Sequence, residues 1–236
     1  MRLPAFTAVA AFTLLLSGCF ATTSGTREPA VDTQPMYGGM DRSSVPALRA
    51  ADDAFIRDVS ARFGSRERAS KLWVGQGYRF YQQDDLDTAM KRFNQAWLLD
   101  PRNPEVFTGF GAVLHDRQQY CEAMRVMQQA LTLNPPSFQG IYPDTARVTV
   151  LCAVKDEALA PEARAQLLQQ SEQLYKQALS LEPNKGYVYA SWATAYYWRA
   201  QYSDAWKMVS KARAAGTVPG KKFIDMLQAK MPEPRS

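Results

Sequence analysis

The chain reads as all-α: a helical solenoid of about four helix-turn-helix units with a capping helix at each end. Three observations lead there. Residues 70–103 superpose on residues 104–137 at a shift of 34, with Gly77 on Gly111, Ala89 on Ala123, Ala96 on Ala130 and Pro101 on Pro135. Large apolar residues match in the same register, at Trp73/Phe107, Phe80/Leu114 and Phe93/Met127. Elsewhere apolar residues recur at helical spacings, in a chain that is 46% apolar and rich in helix-favouring Ala, Gln, Leu and Arg.

The first 18 residues hold Arg2, an apolar run from Ala5 to Leu16, and the small residues Ser17 and Gly18 before Cys19. That run is too short to span a bilayer comfortably and suits the core of a cleaved signal peptide. The tetrapeptide Leu16-Ser17-Gly18-Cys19 resembles the bacterial lipobox, which implies a lipoprotein signal peptide over 1–18 and lipid attachment at Cys19. Several acyl chains there would anchor the chain firmly, whereas one alone is marginal. Phe20 stands where, by the rule of that family, Asp favours retention in the inner membrane, so the resemblance points to the periplasmic face of a bacterial outer membrane. An ordinary secretory signal is the alternative. Residues 19–43 are rich in Thr, Ser, Gly and Pro without apolar periodicity, which predicts a flexible tether with a reach on the order of 25–30 Å.

Residues 44–231 form the predicted solenoid domain. Ser44 is the expected N-cap of a first helix with Pro46 in its first turn, an apolar stripe of Leu48, Ala51, Phe55, Ile56, Val59 and Phe63, and Gly64 as its stop. A one-sided helix at this place covers the end of the array. Ser65 then caps a helix running to Gln82, and Asp84 and Asp85 turn the chain into another from Leu86 to Leu99. The second unit repeats the plan near 105–117 and 119–133. Register breaks after Pro135: the next landmark, Tyr175, Ala178 and Pro183, places Pro183 48 residues later rather than 34. A loop over 134–143, a helix over 145–155 and a long helix from Pro161 to Leu181 account for the surplus, although no small residue marks the crossing of that pair. The fourth unit carries Tyr189, Trp192, Ala193, Tyr196, Ala205 and Ala212. A last helix, Lys221–Lys230, packs Phe223, Met226 and Leu227 as the second cap, and 232–236 form a disordered tail.

Trp73, Gly77, Phe80, Ala89, Phe93, Ala96 and Pro101, then Phe107, Gly111, Leu114, Ala123, Met127, Ala130 and Pro135, together resemble the tetratricopeptide repeat (TPR) family. The resemblance implies a concave groove lined mainly by the first helix of each unit. Transferred residue by residue, the candidate peptide-binding positions include Lys71, Tyr78, Tyr81, Glu105, His115, Tyr187, Tyr197 and Trp198. This aromatic, lightly charged lining suits an extended or helical peptide. Tyr78 and Ala112 stand where the family's carboxylate-clamping members need Asn. Equally open is that Tyr78, Tyr81, Tyr197 and Trp198 are buried against the 134–143 loop or the caps.

Charge and side-chain chemistry narrow the function. A net charge of +5 is mild and its Lys and Arg are scattered, unlike the clustered face that nucleic acid needs. One His and three separated Cys make no metal set and imply no cofactor. His115 and Cys121 lack a third residue to orient the imidazole, so a nucleophile–base pair is not expected; Asp84, Asp85 and Asp87 sit where carboxylates cap a helix. Cys121 and Cys152 fall at helix ends that antiparallel packing brings together, as either a disulfide or two separately buried thiols. The expectation is therefore a non-enzymatic adaptor, held to the membrane by its lipid, that binds an envelope protein or peptide in envelope assembly, cell-wall enzyme recruitment, or secretion and pilus biogenesis. The alternative is an envelope lipoprotein whose aromatic groove holds a glycan or lipid fragment.

Overall fold

The computed structural model describes residues 31–136 and 140–235. The signal peptide, Cys19 and the first part of the tether lie outside the described residues. Among the described residues ten α-helices follow two 3-10 turns (Val31–Thr33 and Arg42–Ser44), and no strand occurs. They are α1 (Pro46–Phe63), α2 (Arg66–Gln82), α3 (Leu86–Leu99), α4 (Pro104–Asp116), α5 (Tyr120–Thr132), α6 (Ile141–Lys155), α7 (Pro161–Leu181), α8 (Lys185–Trp198), α9 (Tyr202–Ala214) and α10 (Lys221–Lys230). They pack as successive pairs, α2 on α3, α4 on α5, α6 on α7 and α8 on α9, with α1 against α2 and α10 against α9. The solenoid predicted from the 34-residue period is what forms.

Close approach at small residues holds the pairs together. A Cβ added to Gly77 would fall 2.5 Å from the Phe93 ring, and one added to Gly109 would fall 2.4 Å from the same ring. Phe93 of α3 is thus seated between α2 and α4, fully buried. One repeat later Gly111 faces Met127 in the same way, with only 2.2 Å for a Cβ. Phe93, Met127, Tyr175 and Val209 occupy equivalent places in the four second helices, and all are buried. In the third pair, Ala146 and Ser171 allow the close approach for which the sequence shows no glycine: Ala146 is fully buried and its carbonyl accepts a 2.8 Å bond from the Ser171 hydroxyl.

The turns repeat as faithfully as the core. Asp85 N–H donates to the Phe80 carbonyl, Gln119 to Leu114, and Gln201 to Tyr196, each closing the first helix of a unit across five residues. The residue before each donor is left-handed, with φ of 62° at Asp84, 62° at Gln118 and 57° at Ala200, a conformation that costs a side-chain-bearing residue on the order of 1 kcal/mol. Ser65, Asp85, Asn103 and Asn184 accept backbone N–H groups as side-chain caps of α2, α3, α4 and α8.

Three expectations are corrected. Ser44 does not cap α1; the N-cap is Val45, because the residue before Pro46 must be extended, and the Ser44 hydroxyl instead donates to the Asp41 carbonyl. The 134–143 stretch is not loop throughout: α6 begins at Ile141 and takes Pro143 into its first turn, where the missing N–H leaves no bond unmade. Residues 31–43, expected to be part of a flexible tether, lie along the array. Asn94 of α3, buried, donates to the carbonyls of Asp32 and Gln34 at 3.0 and 2.7 Å and accepts from Met36 N–H at 2.8 Å. Tyr37 packs edge-on to Phe107, and Arg42 forms a two-pronged bond with Asp52 of α1.

Cys121 and Cys152 form a disulfide, with their Cα atoms 4.6 Å apart and 31 residues of separation. It joins the start of α5 to the end of α6, at the place where the regular spacing fails.

Two outcomes follow from this packing. Gly77→Ala gains about 0.5–1 kcal/mol of helix propensity but overpacks Phe93 by about 1–3 kcal/mol, so urea unfolding should show a net loss; a variant as stable as the parent would contradict the Phe93 contact. Replacing Cys121 and Cys152 together by Ser should lower stability by roughly 3–4 kcal/mol relative to the oxidised chain, and an unchanged midpoint would show that the bridge does not restrain the unfolded chain.

Candidate functional site: the wedge between the second and third units

The first helices α2 and α4 lie side by side, as do α6 and α8, but α6 leans on α5 and α8 rather than on α4. The longer connection after α5 produces this offset and opens a cavity of about 290 Å³. Tyr78 and Tyr81 of α2 and Thr108 and His115 of α4 line one side, while Asp144 and Arg147 of α6 line the other.

Hydrogen bonds order these side chains. Tyr78 shares a 3.0 Å hydroxyl–hydroxyl bond with Thr108 and packs its ring edge-on to Phe93, 5.1 Å between centroids. His115 Nδ1 lies 2.7 Å from Asp116 Oδ1, and its Nε2 lies 3.4 Å from Arg147 Nη1. Only the tautomer protonated at Nδ1 donates to the carboxylate and accepts from the guanidinium. Arg147 Nη2 donates to Asp144 Oδ1 at 3.2 Å, and Tyr187 of α8 donates to that same oxygen at 2.7 Å. Burial, partly offset by the bond with Thr108, pushes the Tyr78 phenol up to about 12. The phenols of Tyr81 and Tyr187 also rise, chiefly through burial and then through Asp116 and Asp144 respectively. All three remain neutral hydroxyls over the physiological range. Nearby, Glu182 is 2% exposed, its acid pushed up by burial and one oxygen accepting from Gly140 N–H.

The eight groove positions do not form one site. Tyr78, Tyr81 and His115 meet in the wedge, and Tyr187 joins them through Asp144 while remaining 39% exposed. Glu105 is half-buried at the start of α4, and its charge is felt at Tyr78. Lys71 is exposed on α2 and does not line the cavity. Tyr197 and Trp198 belong to a second aromatic group at the C-terminal end, where Tyr197 packs on Tyr202 and on Phe223 of the capping helix. The Lys155 ammonium lies 4.5 Å from the centre of the Trp198 ring. Burial against a cap thus describes Tyr197, whereas Tyr78 combines a ring on the core with a hydroxyl in the wedge. Cys121, being in the disulfide, offers His115 no thiolate, and Asp85 caps α3 while Asp87 pairs with Arg117.

Asp144 and Arg147 are the residues that sequence reasoning missed. Starting the helix at Thr145 left Asp144 off it, and Arg147, although on it, was given no groove position; Pro143 as a first-turn residue would have placed Asp144 in the first turn of α6 and Arg147 in the second.

No protein-family model matches the chain. It is 36% identical over 83 residues to protein adenylyltransferase Fic of Culex quinquefasciatus, a match covering 35% of this chain and 16% of that protein. It is 29% identical over 112 residues to cellulose synthase operon protein C of Xanthomonas axonopodis pv. citri (strain 306), covering 48% of this chain and 7% of that one. The chain therefore spans less than a fifth of the length of either relative.

Proposed function

We propose that this chain is a tetratricopeptide-type interaction module that holds a segment of another protein along its concave face. The observation that carries the reading is the wedge between α4 and α6, where two neutral tyrosine hydroxyls, an imidazole and a guanidinium–carboxylate pair converge at the edge of an open cavity. Rigid aromatics beside a few oriented polar groups are what a peptide-binding groove requires. Two relatives with unrelated names, each matched over a small part of its length, fit a repeat module reused in different settings better than a shared activity. The adenylyltransferase likeness reaches only 16% of that protein, and no adenylyl transfer is proposed here. We further propose that Cys19 carries lipid and tethers the array to the periplasmic face of an outer membrane, on the strength of Leu16-Ser17-Gly18-Cys19. Tethering would raise the effective concentration of the groove at the membrane and so strengthen weak contacts.

Crosslinking in cells followed by mass spectrometry tests the groove. Tyr78→Ala combined with Tyr187→Ala should reduce recovery of the wild-type partners by about tenfold, the loss expected when central aromatic contacts are removed. An unchanged set of partners, from a variant with a normal far-ultraviolet spectrum, would exclude the wedge as the binding surface. The anchor is tested separately: Cys19→Ala should abolish incorporation of radiolabelled palmitate and shift the chain to the soluble fraction. Retention of membrane association and label by that variant would refute lipidation at Cys19.

A further inference from the structure

We infer that residues 31–43 are a latch that halves the leash between Cys19 and the array, so that the groove serves partners close to the anchoring membrane. The inference rests on the reading that Cys19 carries lipid and adds where along the chain the leash ends.

The seat of the segment is the first argument. Asn94 follows Phe93 on α3, and the residues that follow its equivalents Met127, Tyr175 and Val209 are Gln128, Lys176 and Ser210. Gln128 is half-buried and the other two are exposed, so this place on a second helix faces outward. Asn94 is nonetheless only 3% exposed. The segment covers it: the Asn94 amide donates to the carbonyls of Asp32 and Gln34 and accepts from Met36 N–H, three main-chain groups on alternate residues. A buried amide is costly without such partners, and with them it grips the segment by its backbone. Contacts on either side extend the hold. Lys91 pairs with Asp32 at 3.2 Å and Arg117 donates to the Thr33 carbonyl, while further on Tyr37 meets Phe107 and Arg42 binds Asp52. These are polar groups and one ring rather than close packing, since cavities of about 480 and 330 Å³ lie between the segment, α1 and α3. The bonds of Asn94 are therefore the central support.

The length of the leash is the second argument. Cys19 is 25 residues from Ser44, a run that spans about 90 Å when fully extended. With 31–43 seated, the leash ends at Val31, 12 residues from Cys19, and spans at most about 43 Å. That ceiling is covalent and holds for any conformation of the chain between them. A shorter leash confines the array to a thinner shell at the membrane. A partner segment inside that shell gains effective concentration, and one beyond it is out of reach.

Energy transfer tests this on the purified chain beginning at Cys19. With Cys121 and Cys152 bridged, Cys19 is the one remaining thiol, so it couples to a maleimide lipid in phosphatidylcholine vesicles without enzymatic lipidation. A donor dye on an azide-bearing side chain introduced at exposed Gln83 reports transfer to acceptor dyes in the lipid. Asn94→Ala should lower that transfer roughly twofold or more as the ceiling doubles. Met36→Pro, which removes the N–H that Asn94 accepts, should do the same, and both variants should keep the far-ultraviolet spectrum of the parent. The Met36 amide should exchange with solvent on the order of tenfold more slowly in the parent than in Asn94→Ala. Equal transfer in the parent and both variants, or equal exchange of the Met36 amide in the parent and Asn94→Ala, would overturn the latch. Met36 lies outside every helix, so its variant keeps the test decisive if Asn94→Ala unfolds the array. Because the coupling is chemical, none of these outcomes bears on lipidation at Cys19, which the palmitate experiment decides.

Discussion

The seating of Phe93 between Gly77 and Gly109 is the contact on which the array depends. One ring from α3 touches α2 within its own unit and α4 of the next, so a single side chain sets both the intra-unit and the inter-unit spacing. Phe110 stands edge-on to it, at 6.5 Å, and Phe107 to Phe110, at 6.1 Å, so the aromatic contacts continue from one unit into the next. Because the glycines admit no added carbon without displacing that ring, the distance between helix axes has little freedom. The positions of Tyr78 and Thr108, close to these glycines in sequence, inherit that rigidity. The groove is ordered because the core behind it is.

The third unit departs from this scheme, and the departure makes the wedge. Fourteen additional residues separate Pro135 from Pro183 beyond one repeat, and they are taken up by the connection before α6 and by a 21-residue α7. α6 consequently meets α5 and α8 closely and faces α4 across open space. The disulfide ties α6 to α5 at this irregular junction, and the Tyr175–Trp192 stack, 4.9 Å and nearly parallel, binds the third unit to the fourth. Regularity supplies stability on both sides; the break between them supplies the cavity.

Much of the fold was legible because its causes are local. The bounds of α3, α7 and α10 follow from Asp85, Pro161 and the residues after Pro219, which act on the chain beside them whatever the tertiary context. Pro101 and Pro135 mark unit ends for the same reason. The candidate site was legible only in part. Tyr78, Tyr81 and His115 sit on regular helices and could be placed by counting, but Asp144 fell before a helix start misplaced by four residues, and Arg147 lies in the irregular unit to which no repeat positions could be transferred. Tyr197 could be counted too, yet its ring packs on Phe223, some two dozen residues away, which no spacing reveals. The lie of residues 31–43 was likewise hidden, since a Thr- and Pro-containing segment has no periodicity and only the buried amide of Asn94, nearly sixty residues on, holds it down.

That segment has a mechanical consequence. A pull applied through the N-terminal end of the chain is not delivered first to α1, a helix with no buried residue and hence easily peeled away. It is taken up at Asn94, by three short hydrogen bonds, and at the Arg117 guanidinium, which donates to the Thr33 carbonyl. These bonds belong to α3 and to the residue that ends α4, so the load enters the middle of the first two units and is shared among groups that must break together. Residues 31–43 work as a strain relief does on a cable, sparing the terminal helix while the body of the array bears the tension.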